Sequence, residues 1–192
     1  METRDLPIIA FASQDEFAAW LAEQHAISSG LWLKIAKKDS GIATVSYAQA
    51  LDVALCYGWI DLQKGKFDEQ YFLQRFTPRK ARGKWSKINC DHVARLIERG
   101  LMQPTGLREV EQARADGRWD AAYDGQRTMA APDDLLQALG ENEKAREFFA
   151  TLDSANRYAI LYRLQEAKKP ETRERRLAQY VAMLTEGKKI HG

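Results

Sequence analysis

Six cations, Arg75, Arg79, Lys80, Arg82, Lys84 and Lys87, fall within one stretch of 13 residues that holds no acid, and Phe76 and Trp85 interleave with them. Arginine forks take phosphates and carboxylates in pairs of hydrogen bonds, and lysines add point charges. The stretch leaves an expected strand, crosses a loop and enters a helix for which Ser86 is the expected N-cap. Free backbone N–H groups at such a helix start favour anions. The chemistry read here is a site for a phosphate, a carboxylate or a nucleic-acid backbone. The competing reading is a solvated loop whose arginines pair with Asp61, Asp68 and Glu69. Asp61 follows Gly58-Trp59-Ile60 on a second expected strand. Its carboxylate either orients Arg75 or Arg79 from the neighbouring strand or acts as a general base. The pairing role is simpler, because a catalytic carboxylate needs a partner acid or a metal.

Other chemistry finds no support in the residue pattern. His25, His92 and His191 are far apart, and neither C-x-x-C nor H-E-x-x-H occurs, so no metal site and no cofactor is expected. Each histidine reads as a surface residue. There is no G-x-S-x-G elbow and no glycine-rich nucleotide loop. Cys56 lies on the apolar side of an expected helix and reads as a small buried thiol. No catalytic residue is assigned. In the tail, Lys168 and Lys169 end one expected helix and Glu171 opens the next, which matches both helix dipoles. A basic docking face is the alternative there.

The elements that must position these residues are visible in part. Ser13 with Glu16 forms a capping box ahead of Phe17, Trp20 and Leu21, and Ser28-Ser29-Gly30 is expected to end that helix. Leu31, Leu33 and Ile35 alternate as one face of a strand. Ser46 with Gln49 opens a helix in which Tyr47, Ala50, Leu51, Ala54 and Leu55 share a face, with Gly58 as its left-handed stop. Residues 59–64 and 70–77 read as a hairpin turning around Lys64-Gly65-Lys66. Helices follow at Val93 to Ile97, before Gly100, and from Pro104 to Glu111. The polar stretch from Asp124 to Pro132 separates them from three helical segments, 132–139, 141–152 and 154–168, and from a last helix opened by Pro170.

The 192 residues carry 29 basic and 27 acidic side chains, a net charge of +2. That balance excludes a wholesale polyanion binder, and any attraction must be local. The mean hydropathy of −0.51 and the lack of a long apolar run exclude a membrane-spanning helix. The N-terminal stretch METRDLPIIAFAS carries early acids and no apolar leader core, so no secretory signal is expected. Two cysteines make no disulfide framework, and reduced thiols in the cytoplasm are expected.

The chain resembles the bacteriocin-protection, YdeI/OmpD-associated family. One block of the resemblance runs through Gly30-Leu31-Trp32-Leu33, Cys56-Tyr57-Gly58-Trp59-Ile60-Asp61, Arg75-Phe76-Thr77-Pro78-Arg79, Trp85-Ser86-Lys87-Ile88-Asn89 and Gly117-Arg118-Trp119. The other is the helical tail, with Asn156-Arg157-Tyr158, Ala167-Lys168-Lys169 and Gly187-Lys188-Lys189. The resemblance implies a part in tolerance to bacteriocins and association with an outer-membrane porin. A cytoplasmic location argues against direct contact with that porin. It also implies that the G-W-I-D and R-F-T-P-R strings belong to one site.

Together these readings give an α+β fold. A small antiparallel sheet packed by helices is expected within residues 1–124, and an all-helical region within 132–192. The expected function is a non-enzymatic cytoplasmic binding protein that holds an anionic ligand or partner. Trp59, Phe76 and Trp85 would wall the site, Arg75, Arg79 and Lys87 would charge it, and Asp61 and Asn89 would complete it. A nucleic-acid-binding module using the same loop is the first alternative, and an enzyme with Asp61 as general base the second.

Overall fold

The computed structural model describes residues 6–191. The stretch read for a leader begins outside the described residues, and Gly192 also lies outside them. The chain divides into two compact units, Met1–Ala122 and Tyr123–Gly192. The first carries β1 (Ile8–Ile9), α1 (Gln14–Gln24), β2 (Leu31–Ala36), α2 (Tyr47–Cys56), β3 (Trp59–Lys66), β4 (Tyr71–Pro78), α3 (Lys87–Glu98) and α4 (Pro104–Ala115). The second carries α5 (Asp133–Gly140), α6 (Glu143–Thr151), α7 (Ser154–Gln165) and α8 (Pro170–Thr185). The fold class is α+β, with a four-stranded sheet and an all-helical C-terminal region.

The sheet has the order β1-β2-β4-β3. β2 and β3 each pair antiparallel with β4, but β1 pairs parallel with β2 through Ile8↔Trp32 and Ile9↔Leu33. The expected all-antiparallel sheet is therefore corrected at one edge. Two residues show no alternation to read, and α1 supplies the crossover that a parallel pair needs. In β2, Leu31, Leu33 and Ile35 are buried, while Trp32, Lys34 and Ala36 on the opposite face are half-buried. Gly30, just ahead of β2, has φ 139°, and an added Cβ would meet Phe76 O at 2.7 Å. Only glycine allows that approach of β4.

The hairpin turns at residues 67–70 rather than around Gly65. Asp68 Oδ1 accepts hydrogen bonds from Gln70 N at 2.8 Å and Tyr71 N at 2.7 Å, an Asx-type turn that outcompetes the glycine position. Gly65 stays inside β3. The register shifts between Asp61 and Lys64, a bulge on the edge strand. α1 also stops earlier than expected. His25 N donates to Leu21 O at 2.9 Å, and Ile27 N and Ser28 N both fold back on Gln24 O.

α2 begins with the full capping box of Ser46 and Gln49 and ends before Gly58 at φ 75°. It divides its apolar residues between two cores. Ala50, Val53 and Ala54 pack with Phe17, Leu21, Leu33 and Phe76 beneath the sheet. Leu51, Leu55 and Cys56 pack with Val93, Leu96, Val110 and Ala113 of α3 and α4. α4 comes so near that a Cβ on Gly106 would collide with the Cys56 carbonyl oxygen.

The second unit has its own core, built on Leu135, Leu139, Ile160, Leu161, Leu164, Tyr180 and Leu184. Arg173 ties three of its helices. It pairs with Asp134 of α5 at 2.5 Å and donates to Leu164 O of α7 at 2.9 Å. Buried Asn156 holds the chain's end through hydrogen bonds to His191 N at 2.8 Å and His191 O at 3.2 Å.

Candidate functional site

The residues expected to form one site are divided by the sheet. Trp59 and Phe76 are 1 % and 0 % exposed inside the core beneath it, so neither can wall a pocket. Trp59 Nε1 donates to His25 O at 3.2 Å. Asp61 stands opposite Phe76 in the register, so it leaves the sheet on the face that carries α1 and α2. There it accepts a hydrogen bond from the Tyr47 hydroxyl at 2.8 Å. Burial and this bond push the Tyr47 hydroxyl pKa up. Arg75, next to Phe76, points to the opposite face, because side chains alternate along a strand. Asp61 therefore does not orient Arg75, and the expected cluster of Asp61, Arg75 and Arg79 is split.

Arg79, Trp85, Lys87 and Asn89 stay close along the chain but do different work. The Arg79 guanidinium lies 3.5 Å from the centre of the buried Trp85 ring, and Arg79 Nη1 donates to Lys84 O at 3.4 Å. Trp85 also meets Trp119 at 5.0 Å. Ser86 caps α3, with its hydroxyl accepting from Asn89 N at 3.2 Å, as the sequence predicts. Lys87 is exposed on the first turn. This loop is thus anchored by a cation over an aromatic ring.

A different concave surface lies at the far end of the hairpin. An open groove of about 890 Å³ is lined by Lys37, Lys38, Lys64 and Lys66, by the rings of Phe67, Tyr71 and Phe72, and by Gly65, Asp68 and Glu69. Lys64 Nζ sits 4.4 Å from the Phe72 ring centre. Lys34 Nζ sits 3.9 Å from the Tyr71 ring and 4.6 Å from the Phe67 ring. Lys37 Nζ donates to Asp68 O at 2.9 Å. This group is not legible in the sequence because its lysines come from two separate segments, residues 34–38 and 64–66. The outward positions of β2, Trp32 and Lys34, are the one local signal that this face is not an ordinary polar one.

A smaller cavity of about 290 Å³ lies beside α2 and is lined by Asp52, Cys56, Tyr57 and Arg99 among others. His92 Nδ1 lies 2.6 Å from Asp52 Oδ1 on its margin, with Arg95 Nη2 2.9 Å from the same ring nitrogen. His92 is thus a half-buried partner of Asp52 and not the expected surface residue. Burial and the Asp52 charge push the Cys56 thiol up to about 11, which keeps it protonated and a poor nucleophile at neutral pH. Among the described residues no group of acids, histidines and cysteines could hold a metal ion.

The first unit is thus a sheet with α1 and α2 on one face and a basic, ring-lined groove at its hairpin end. The chain belongs to the family of a domain of unknown function (DUF8412), whose model matches residues 9–109, more than half of its length. Residues 128–187 match the model described as bacteriocin-protection, YdeI or OmpD-associated, which supports the resemblance drawn from the sequence. That match falls on the helical tail. The G-W-I-D and R-F-T-P-R strings fall inside the first match. No curated protein and no solved structure matches the chain.

Proposed function

We propose that this is a non-enzymatic binding protein of the bacteriocin-protection type, working in the cytoplasm, which holds an anionic ligand or partner in the groove at the end of the β3–β4 hairpin. The observation that carries the reading is the lining itself, four lysines and three aromatic rings against two acids. One of those acids, Asp68, already commits an oxygen to the turn. Ammonium groups set against ring faces are held in place with their remaining hydrogen-bond capacity turned outward. On the outer face of the sheet, Arg75 keeps a buried Nε without a hydrogen-bond partner among the described residues. The match of the tail to the bacteriocin-protection model supports the class. The two free thiols, Cys56 and Cys90, fit a reducing compartment.

Inorganic polyphosphate is a suitable probe. The wild type binds it with an affinity that falls steeply with salt. Lys64→Glu with Lys66→Glu, both exposed, leaves the melting temperature unchanged and weakens binding by about tenfold or more, as two reversed contacts require. Unchanged polyphosphate affinity in the double variant overturns the reading.

A further inference from the structure

We infer that the sheet face turned away from α1 and α2 binds single-stranded nucleic acid, with Trp32 as the base-stacking platform and Lys34 and Arg75 as phosphate contacts; this rests on the anion-binding reading of the adjoining groove. The pairing register puts these groups on one surface. Ile8, Trp32 and Arg75 lie side by side across β1, β2 and β4, and Lys34 and Leu73 form the next rank. Leu73 pairs on its other side with Gly65 of β3. A sheet face turned to water ordinarily alternates to polar residues. This one presents an indole, a half-exposed Ile8 and the buried Leu73, and neither Trp32 nor Leu73 belongs to any of the three apolar cores.

The indole is placed for stacking. A Cβ added to Gly65 would lie 3.5 Å from both Leu73 Cβ and Trp32 Cζ3. Trp32 therefore reaches across β4 and covers Gly65, with the sheet behind its ring. The absence of a side chain at Gly65 explains why this glycine sits within a strand. Lys34 is held upright between the Tyr71 and Phe67 rings at 3.9 and 4.6 Å, one residue pair from Trp32. Arg75 Nε is buried and lacks a hydrogen-bond partner among the described residues. Lys34 and Arg75 flank the aromatic platform on this face, whereas Lys64 and Lys66 pair with Gln74 and Phe72 and leave the sheet on the other face. Cations beside a ring match a chain that alternates phosphates and bases. An acidic peptide would use the cations and leave the indole without a flat partner. The surface offers few groups that read base edges, so recognition is tolerant of sequence.

The test compares a thymidine oligonucleotide of about a dozen residues with an abasic sugar-phosphate oligomer of equal length, the usual site size for such platforms. The wild type binds the thymidine oligomer about tenfold more tightly, the scale of one stacked base. Trp32→Ala removes that preference and leaves the abasic affinity unchanged, while Trp32→Phe keeps part of it. Arg75→Gln and Lys34→Gln weaken both oligomers together. Should Trp32→Ala fail to fold, the wild-type comparison and Trp32→Phe still decide. Equal wild-type affinity for the two oligomers overturns this inference and leaves the anion-binding reading standing. Tighter binding of polyglutamate than of the thymidine oligomer does the same. Failure of polyphosphate and both oligomers to bind overturns both.

Discussion

Cys56 and Cys90 illustrate how packing sets the chemistry of a side chain. Burial pushes both thiols up to about 11 from an ordinary 9.0. The folded chain holds its thiol protons where the unfolded chain releases them, so the stability they contribute is complete below pH 9.0 and is lost as pH rises through about 11. Urea midpoints measured across that window will fall, and Cys56→Ala with Cys90→Ala will flatten the decline. At neutral pH, Cys56 reacts slowly with thiol reagents in the folded protein. Leu51 is 5 % exposed between α2, α3 and α4, and Leu51→Ala will cost about 2–5 kcal/mol by equilibrium denaturation. Its burial was legible, because helical spacing reports which residues share a face. The roles of Trp59 and Phe76 were not. Rings beside cations read as a binding site until the register sends them into the core and Arg75 to the other face.

The elements were legible wherever a local bond defines them. The Ser46–Gln49 box, the Ser86 cap, Gly58 after α2 and Pro170 at the start of α8 are all interactions between near neighbours in the chain. The parallel edge β1 and the position of the hairpin turn were not legible. One depends on pairing across α1, and the other on Asp68 prevailing over Gly65. Asp68→Ala removes two acceptor bonds from the turn and will destabilise the protein by about 1–2 kcal/mol, with hydrogen exchange rising first at residues 66–71. Gly106→Ala probes the contact between α2 and α4. Its Cβ meets backbone rather than a flexible side chain, so the helices must separate at a cost of about 1–3 kcal/mol, read as a lowered melting temperature.

On the scale of the molecule, the first unit encloses two apolar cores and the second one, and each unit holds ion pairs that act within it. Arg173→Met removes the Asp134 pair and the bond to Leu164 O, and will raise hydrogen exchange in α5, α7 and α8 without changing protection in the sheet. The net charge of +2 gives the chain no general attraction for anions, so binding must come from placement. Such placement joins Lys37 and Lys38 with Lys64 and Lys66 from two segments, which no single stretch of sequence displays. The most direct test follows backbone amide shifts while inorganic polyphosphate is added to the full chain. The account predicts saturable shifts at Lys37, Lys38, Lys64 to Phe67 and Tyr71, weakening as salt rises. Shifts confined to the loop from Arg79 to Lys87, or no shifts at all, would contradict it.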